Sequence, residues 1–190
     1  MQILRSADYR HMPWKNGKGE TVEIAVFPPS ASVDDFGWRI SMAPVVTNGP
    51  FSTFDGIDRT LSILTGEGMM LSVEGMVPVL LGGSSAPFPF PGDAKTEAVL
   101  QQGPITDLNV MTRRGHFSHR VTRRVEAGEI RFLTDAALVI VVVTGHAKIA
   151  QVELDPLDAM ILENATDCGG LRIETLEPYF VIEIVALAND

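Results

Sequence analysis

Met12-Pro13-Trp14-Lys15-Asn16-Gly17-Lys18-Gly19-Glu20-Thr21-Val22-Glu23-Ile24 changes character midway. Its first half sets a large ring, a cation and an amide beside two glycines, none of which builds a helix. Its second half alternates polar Thr21 and Glu23 with apolar Val22 and Ile24, the period of a half-buried strand. Gly17 and Gly19 permit a tight turn, so Trp14, Lys15 and Asn16 are expected on a turn that feeds a strand. A ring, a charge and an amide on one turn suit ligand contact; alternatively Trp14 plugs the core beneath a surface loop.

Working outward, the same period recurs. Gly37-Trp38-Arg39-Ile40-Ser41-Met42-Ala43 puts Trp38, Ile40 and Met42 on one face and Arg39 and Ser41 on the other. In Arg59-Thr60-Leu61-Ser62-Ile63-Leu64, Arg59 shares a face with Leu61 and Ile63. From Thr106 to Arg113, Asp107, Asn109, Met111 and Arg113 share a face opposite Leu108 and Val110. Met69 to Val73 and Val77 to Leu81 read as further strands, and Phe88-Pro89-Phe90-Pro91-Gly92-Asp93 as a rigid loop. Twelve prolines and seventeen glycines punctuate these segments, which favours antiparallel strands in a sandwich or barrel.

The second half echoes the first. Leu61-Ser62-Ile63-Leu64-Thr65-Gly66 lies over Ile140-Val141-Val142-Val143-Thr144-Gly145, and Gly92-Asp93-Ala94 over Leu157-Asp158-Ala159. Phe132 to Val143, Lys148 to Leu154 and Phe180 to Leu187 read mainly as core strands. The polar and aromatic clusters gather in the first half, where function is expected.

Composition narrows the classes. At 190 residues, with 45% hydrophobic and 21% charged residues, the chain can bury a substantial core. A formal net charge of −9 without a basic run argues against nucleic acid. The longest apolar run, Ala136 to Val143, is far shorter than the roughly 20 residues of a membrane span. No signal core follows the N-terminus and Cys168 stands alone, so a cytoplasmic protein without disulfides is expected.

Familiar chemistries find little support. Of His11, His116, His119 and His146 only two are close in sequence, with no third ligand nearby, so surface or linker histidines are expected and no metal. Cys168 has no neighbouring histidine to activate it, and no nucleophile elbow or phosphate loop is present. What remains is a set of cations and amides on strand faces. Arg59 is the most telling, because an arginine in register with Leu61 and Ile63 points towards an apolar interior. Such burial is costly unless the charge is paired, with Glu23, Asp93 and Asp107 as candidates, or meets an anionic ligand.

Met12-Pro13-Trp14-Lys15-Asn16-Gly17-x-Gly19-x-Thr21-x-Glu23-Ile24, Trp38-Arg39-Ile40-Ser41-x-Ala43, Gly49-Pro50-Phe51-Ser52, Asp58-Arg59-Thr60 and Asp107-Leu108-Asn109-Val110-Met111-x-Arg113-Arg114 together resemble the HutD/Ves family. The match covers most of residues 12 to 114 and is thinner beyond. It departs at Lys18, where the family more often has a third glycine. The resemblance implies an all-β protein of cupin-type double-stranded β-helix (jelly-roll) units, two in one chain. The expected division is an N-terminal barrel over 1–113 that carries the motifs and a C-terminal barrel over 114–190, packed as one compact body. It further implies no cupin metal histidines, no cofactor, and a link to bacterial histidine utilisation through a formylated or formimino glutamate intermediate.

Three readings follow. In the first, a metal-free cupin binds a small carboxylate-bearing anion and so regulates the pathway. Lys15, Arg39 and Arg59 would hold carboxylate, Asn16 and Asn109 read an amide or formyl group, and Trp14 or Trp38 supply an apolar wall. Ser41 and Arg113 complete that set. In the second, no catalytic residue being assigned, Glu23 or Asp107 would act as general acid or base of a hydrolase or isomerase. In the third, the polar faces are structural and the chain is an adaptor with a homodimer edge.

Overall fold

The computed structural model describes residues 1–14, 19–131, 136–163 and 171–188. Its strands begin with β1 (Gln2–Leu4), β2 (Arg10–Pro13), β3 (Glu20–Phe27), β4 (Trp38–Val45), β5 (Gly49–Pro50) and β6 (Ile57–Thr65). They continue with β7 (Met69–Val73), β8 (Val79–Leu81), β9 (Phe88–Pro91), β10 (Thr96–Leu100), β11 (Ile105–Arg113), β12 (Phe117–Arg124) and β13 (Gly128–Ile130). The last are β14 (Leu138–Val143), β15 (Ala147–Ile149), β16 (Val152–Leu154), β17 (Ala159–Glu163), β18 (Leu171–Thr175) and β19 (Tyr179–Ala186). One 3₁₀ turn, Ser6–Asp8, interrupts them, and no described helix is long and apolar enough to cross a membrane.

The chain divides into two units, Arg10–Arg114 and Met1–Tyr9 with Gly115–Asp190. In the first, a sheet ordered β2-β3-β4-β11-β6-β9 accompanies one ordered β5-β10-β7-β8. Counting β4 to β11 as strands one to eight, these orders are 1-8-3-6 and 2-7-4-5, the jelly-roll winding. In the second unit, β12 to β19 give the same two orders, β12-β19-β14-β17 and β13-β18-β15-β16, with β1 added beside β17. The chain is all-β and holds two jelly-roll barrels of one topology.

Each barrel closes because the inner faces of its two sheets are apolar. In the first, Leu61 and Ile63 pack with Met69, Leu71, Val73, Leu81 and Ala98; in the second, Val139, Val141 and Val181 pack with Ile149, Leu154 and Ile173. At the β6–β7 turn the backbone demands glycine. Gly66 and Gly68 have φ of +90° and +121°, and a Cβ on Gly68 would lie 2.1 Å from the Leu81 carbonyl oxygen.

The first sequence echo falls on the third strand of each barrel, β6 and β14. The second does not align: Gly92–Ala94 precedes a seventh strand, whereas Leu157–Ala159 precedes a sixth. Phe88 to Pro91 forms a strand and not a loop. It lies at the sheet edge beside β6, where proline's missing N–H leaves no ladder bond unmade. His119 lies in β12, the first strand of the second barrel, and not in a linker. Phe132 and Cys168 lie outside the described residues.

Two bonded networks anchor the second unit. Asp158, buried, accepts hydrogen bonds from Ser6 N–H (2.7 Å), Asp155 N–H (3.0 Å) and Arg5 Nη1 (2.7 Å), which ties the first residues of the chain to the β16–β17 turn. Burial alone would raise its pKa, but these donors hold it below the usual carboxylate range. Arg120 donates to the buried Glu183 at 2.7 Å.

Candidate functional site

The first barrel contains a cleft of ≈ 890 Å³, within the size range of small-ligand sites. Its floor is the inner face of β4, β11 and β6, and cross-strand register sets what that face carries. Arg39 of β4 and Arg59 of β6 both pair with Met111 of β11, so the two arginines flank one methionine about 10 Å apart at Cα, two strand spacings. One step deeper Ser41, Asn109 and Leu61 form the next row, and then Ala43, Asp107 and Ile63.

Both arginines are buried, Arg39 4% and Arg59 6% exposed. Arg39 Nε donates to Glu23 Oε2 at 2.7 Å, and one Nη sits 4.0 Å from Met12 sulfur. Both arginines line the cleft, so their guanidinium groups border the space a ligand would fill. Arg59 donates through Nε (2.8 Å) and Nη2 to Asn109 Oδ1, and through Nη1 to the Ser52 carbonyl at 3.5 Å. Phe51, Phe90 and Phe54 surround its guanidinium, with centroids 4.9, 5.4 and 6.0 Å away. These faces stabilise a buried cation. Burial lowers the Arg59 pKa to about 10, Asp107 pulling it up and Arg39 pushing it down, so it stays charged at neutral pH.

Asn109 relays this charge inward. While its Oδ1 accepts from Arg59, its Nδ2 donates to Asp107 Oδ1 at 2.7 Å. Asp107 is 1% exposed, and burial pushes its pKa up to about 7 against the opposing pull of Arg59, the Ala43 N–H and Asn109. A carboxyl with that value exchanges a proton near neutral pH.

The remaining sequence candidates separate clearly. Trp14 lines the cleft, with its Nε1–H bonded to Thr21 Oγ1 at 2.9 Å and its ring over Gly19. Ser41 lines it as well. Arg113 reaches its edge but is engaged with the Phe36 and Asp34 carbonyls at 3.0 and 3.2 Å. Lys15 and Asn16 lie outside the described residues. Trp38 is not among the lining residues: it faces away from Arg39 and stacks on Phe27, centroids 5.9 Å apart. Glu23 is not among the lining residues: it pairs with Ser41 on the same sheet face and is held by Arg39 and, at 3.8 Å, by Arg10. The sequence reading missed the aromatic cage; Phe51 and Phe54, six and three residues before β6 begins at Ile57, were its available signal. Among the described residues no group of three His, Cys, Asp or Glu could hold a metal ion.

The second barrel lacks this row. Count back from the Thr-Gly after the third strand, allowing for Leu64, the extra residue of a bulge in β6. The positions of Arg59, Met111 and Arg39 are then held by Val139, Glu183 and Arg120, and those of Asn109 and Asp107 by Val181 and Tyr179.

A family model described as HutD matches residues 6–177. The chain belongs to the HutD family. An uncharacterised 21.2 kDa protein from the hutC 3′ region of Pseudomonas putida is 32% identical over 182 residues, covering 92% of this chain and 93% of its own. Protein Ves of Citrobacter koseri is 42% identical over 119 residues, 60% of either chain. HutD from Pseudomonas fluorescens SBW25, solved in a formate condition, is 31% identical with a TM-score of 0.83, covering 98% of this chain and 99% of its own. A far more distant likeness, to a cupin 2 conserved barrel domain protein of Leptotrichia buccalis (7% identity, TM-score 0.50, 88% of each chain), concerns the fold alone. This HutD-family chain is a cupin-fold protein with two barrels.

Proposed function

We propose that the cleft of this HutD-family chain binds a small carboxylate ligand, of the N-formylglutamate or formiminoglutamate kind, and regulates histidine utilisation through it. The observation that carries this reading is the pair of buried arginines that flank Met111 and line the cleft. A carboxylate meets a guanidinium in bidentate form. Asn109 and Ser41 lie one step deeper, where an amide or formyl group would reach them, and Trp14, Phe51 and Phe54 give apolar walls. The Pseudomonas putida relative named for a hutC 3′ region supports the link to histidine utilisation.

Thermal stability in the presence of urocanate, formiminoglutamate, N-formylglutamate, glutamate and formate tests it. A ligand at about a hundred times its dissociation constant adds roughly 2.7 kcal/mol. A raised midpoint with a carboxylate of this panel, lost in a folded Arg59→Ala variant, is expected; no shift with any of them would remove the reading. One observation favours a second reading as an enzyme. Asp107 lines the cleft with a pKa of about 7, the range of a general acid or base. Turnover of a panel ligand that disappears in Asp107→Asn would establish it.

A further inference from the structure

We infer that the cleft takes up its anion together with one proton, which Asp107 holds, so that in the complex this carboxyl is a neutral acid. The inference rests on the carboxylate-binding reading above and adds what that binding does to the protein's own charges.

Without ligand the buried charges balance in pairs. Arg39 is met by Glu23 at 2.7 Å, and Arg59 by Asp107 through Asn109. An arriving carboxylate adds a third anion to two cations that are themselves almost wholly buried. One of the three anions is then best neutralised, and the geometry selects which. Glu23 is fixed by a direct charged hydrogen bond, faces Arg10 as well, and lies off the cleft. A carboxylate ligand on Arg59 or Arg39 is held by the charge it came for. Asp107 has only a neutral amide and a backbone N–H as bonded partners, and its nearest cation is one side chain away.

The charged groups around Asp107 are few. Arg59 faces it from β6, Arg39 with Glu23 from β4 and β3, and Arg113 lies further along β11; Asp34 and Asp55 are exposed on the loops lining the cleft. The four-stranded sheet opposite contributes apolar Met69, Leu71, Val73 and Leu81. The empty site already titrates at about 7 because Arg59 partly offsets burial. A ligand anion cancels that help, so the bound-state value moves upward and the proton is drawn from solvent. The O–H so formed becomes a donor inside the cleft, able to meet a ligand carbonyl.

Calorimetric titration with N-formylglutamate and with formate, each in phosphate and in Tris, reads the proton directly from the buffer dependence of the heat. Uptake of roughly half a proton at pH 7 and about nine-tenths at pH 8 is expected, with Kd rising about eightfold from pH 7.5 to 8.5. In Asp107→Asn, with folding checked by a cooperative melt, uptake and pH dependence should both vanish. Binding that is equally strong at all pH values with no buffer-dependent heat would overturn the proton linkage and leave the anion site standing. Uptake that persists unchanged in Asp107→Asn would overturn the assignment to this residue. No binding of either probe by the unmodified protein would overturn the anion site itself, and the linkage with it.

Discussion

Replacing Asp107 by Asn should make this protein more stable at high pH and not at low pH. The unfolded carboxyl titrates near 3.8, whereas the native one, 1% exposed, does so at about 7. Below about pH 4 both states hold the proton and Asp107 costs nothing. Between pH 4 and 7 the unfolded chain ionises while the native one does not, so native stability declines as pH rises. Above pH 7 the decline is complete. A shift of about 3 pH units at 1.36 kcal/mol each sets its size near 4 kcal/mol as an upper figure. Asn cannot ionise and keeps an oxygen to accept from Asn109 Nδ2. Urea denaturation of both proteins at pH 5, 6, 7 and 8 isolates the effect, because every other titrating group cancels in the difference. The variant should gain about 2 to 4 kcal/mol relative to the parent between pH 5 and 8. Parallel stability curves would refute the argument, and with it any neutral-pH proton at this site.

Two further outcomes follow from other buried charges. Arg39→Ala leaves the buried Glu23 with only the 3.8 Å contact to exposed Arg10, so it should cost about 3 kcal/mol in urea denaturation, whereas Arg39→Met with Glu23→Leu should cost much less; equal losses would mean the pair is not coupled. Asp158→Asn removes the charge that gathers Ser6, Asp155 and Arg5, so amide exchange across β1 should accelerate and stability fall by about 2 kcal/mol. Because its native pKa is depressed, that contribution is present above about pH 4 and disappears as pH falls through the native value. Unchanged exchange at Gln2–Leu4 would contradict the tether.

Alternation made much of this legible in the sequence. A period of two suffices to put Arg59 with Leu61 and Ile63, and Asp107 with Asn109 and Met111, and the structure keeps those faces. The same period already set Trp38 opposite Arg39; grouping it with the ligand residues followed sequence proximity over geometry. What a one-dimensional reading lacks is pairing and register. Glu23 meets Arg39 because it pairs with Ser41, next to Arg39 on the same face; a bulge at Ile24 then shifts β3 against β4, and a bulge at Leu64 offsets β6 from its echo in β14. Neither irregularity has a local signature such as glycine. The aromatic cage escaped for a related reason: Phe51 and Phe54 precede β6 while Phe90 lies in β9, and the rings converge only once β9 pairs with β6.

The two barrels share a strand order but differ at equivalent positions, and this bears on why the polar row exists. Val139, Val181 and Tyr179 show that the winding closes well with uncharged residues where Arg59, Asn109 and Asp107 stand. Buried ionic groups replaced by apolar ones of similar volume are often neutral or stabilising by 1 to 4 kcal/mol. Arg59→Met together with Asn109→Leu should therefore fold and match or exceed the parent's stability at pH 5.5, where Asp107 is protonated, while losing the response to N-formylglutamate. The assay is a urea titration and a ligand melt on the same preparation. Loss of several kcal/mol in the double variant would mean that the row holds the first barrel together, and the adaptor reading would then account for it without a ligand. Retained stability with lost binding would leave ligand recognition as the reason this barrel keeps Arg59 and Asn109 where its twin has Val139 and Val181.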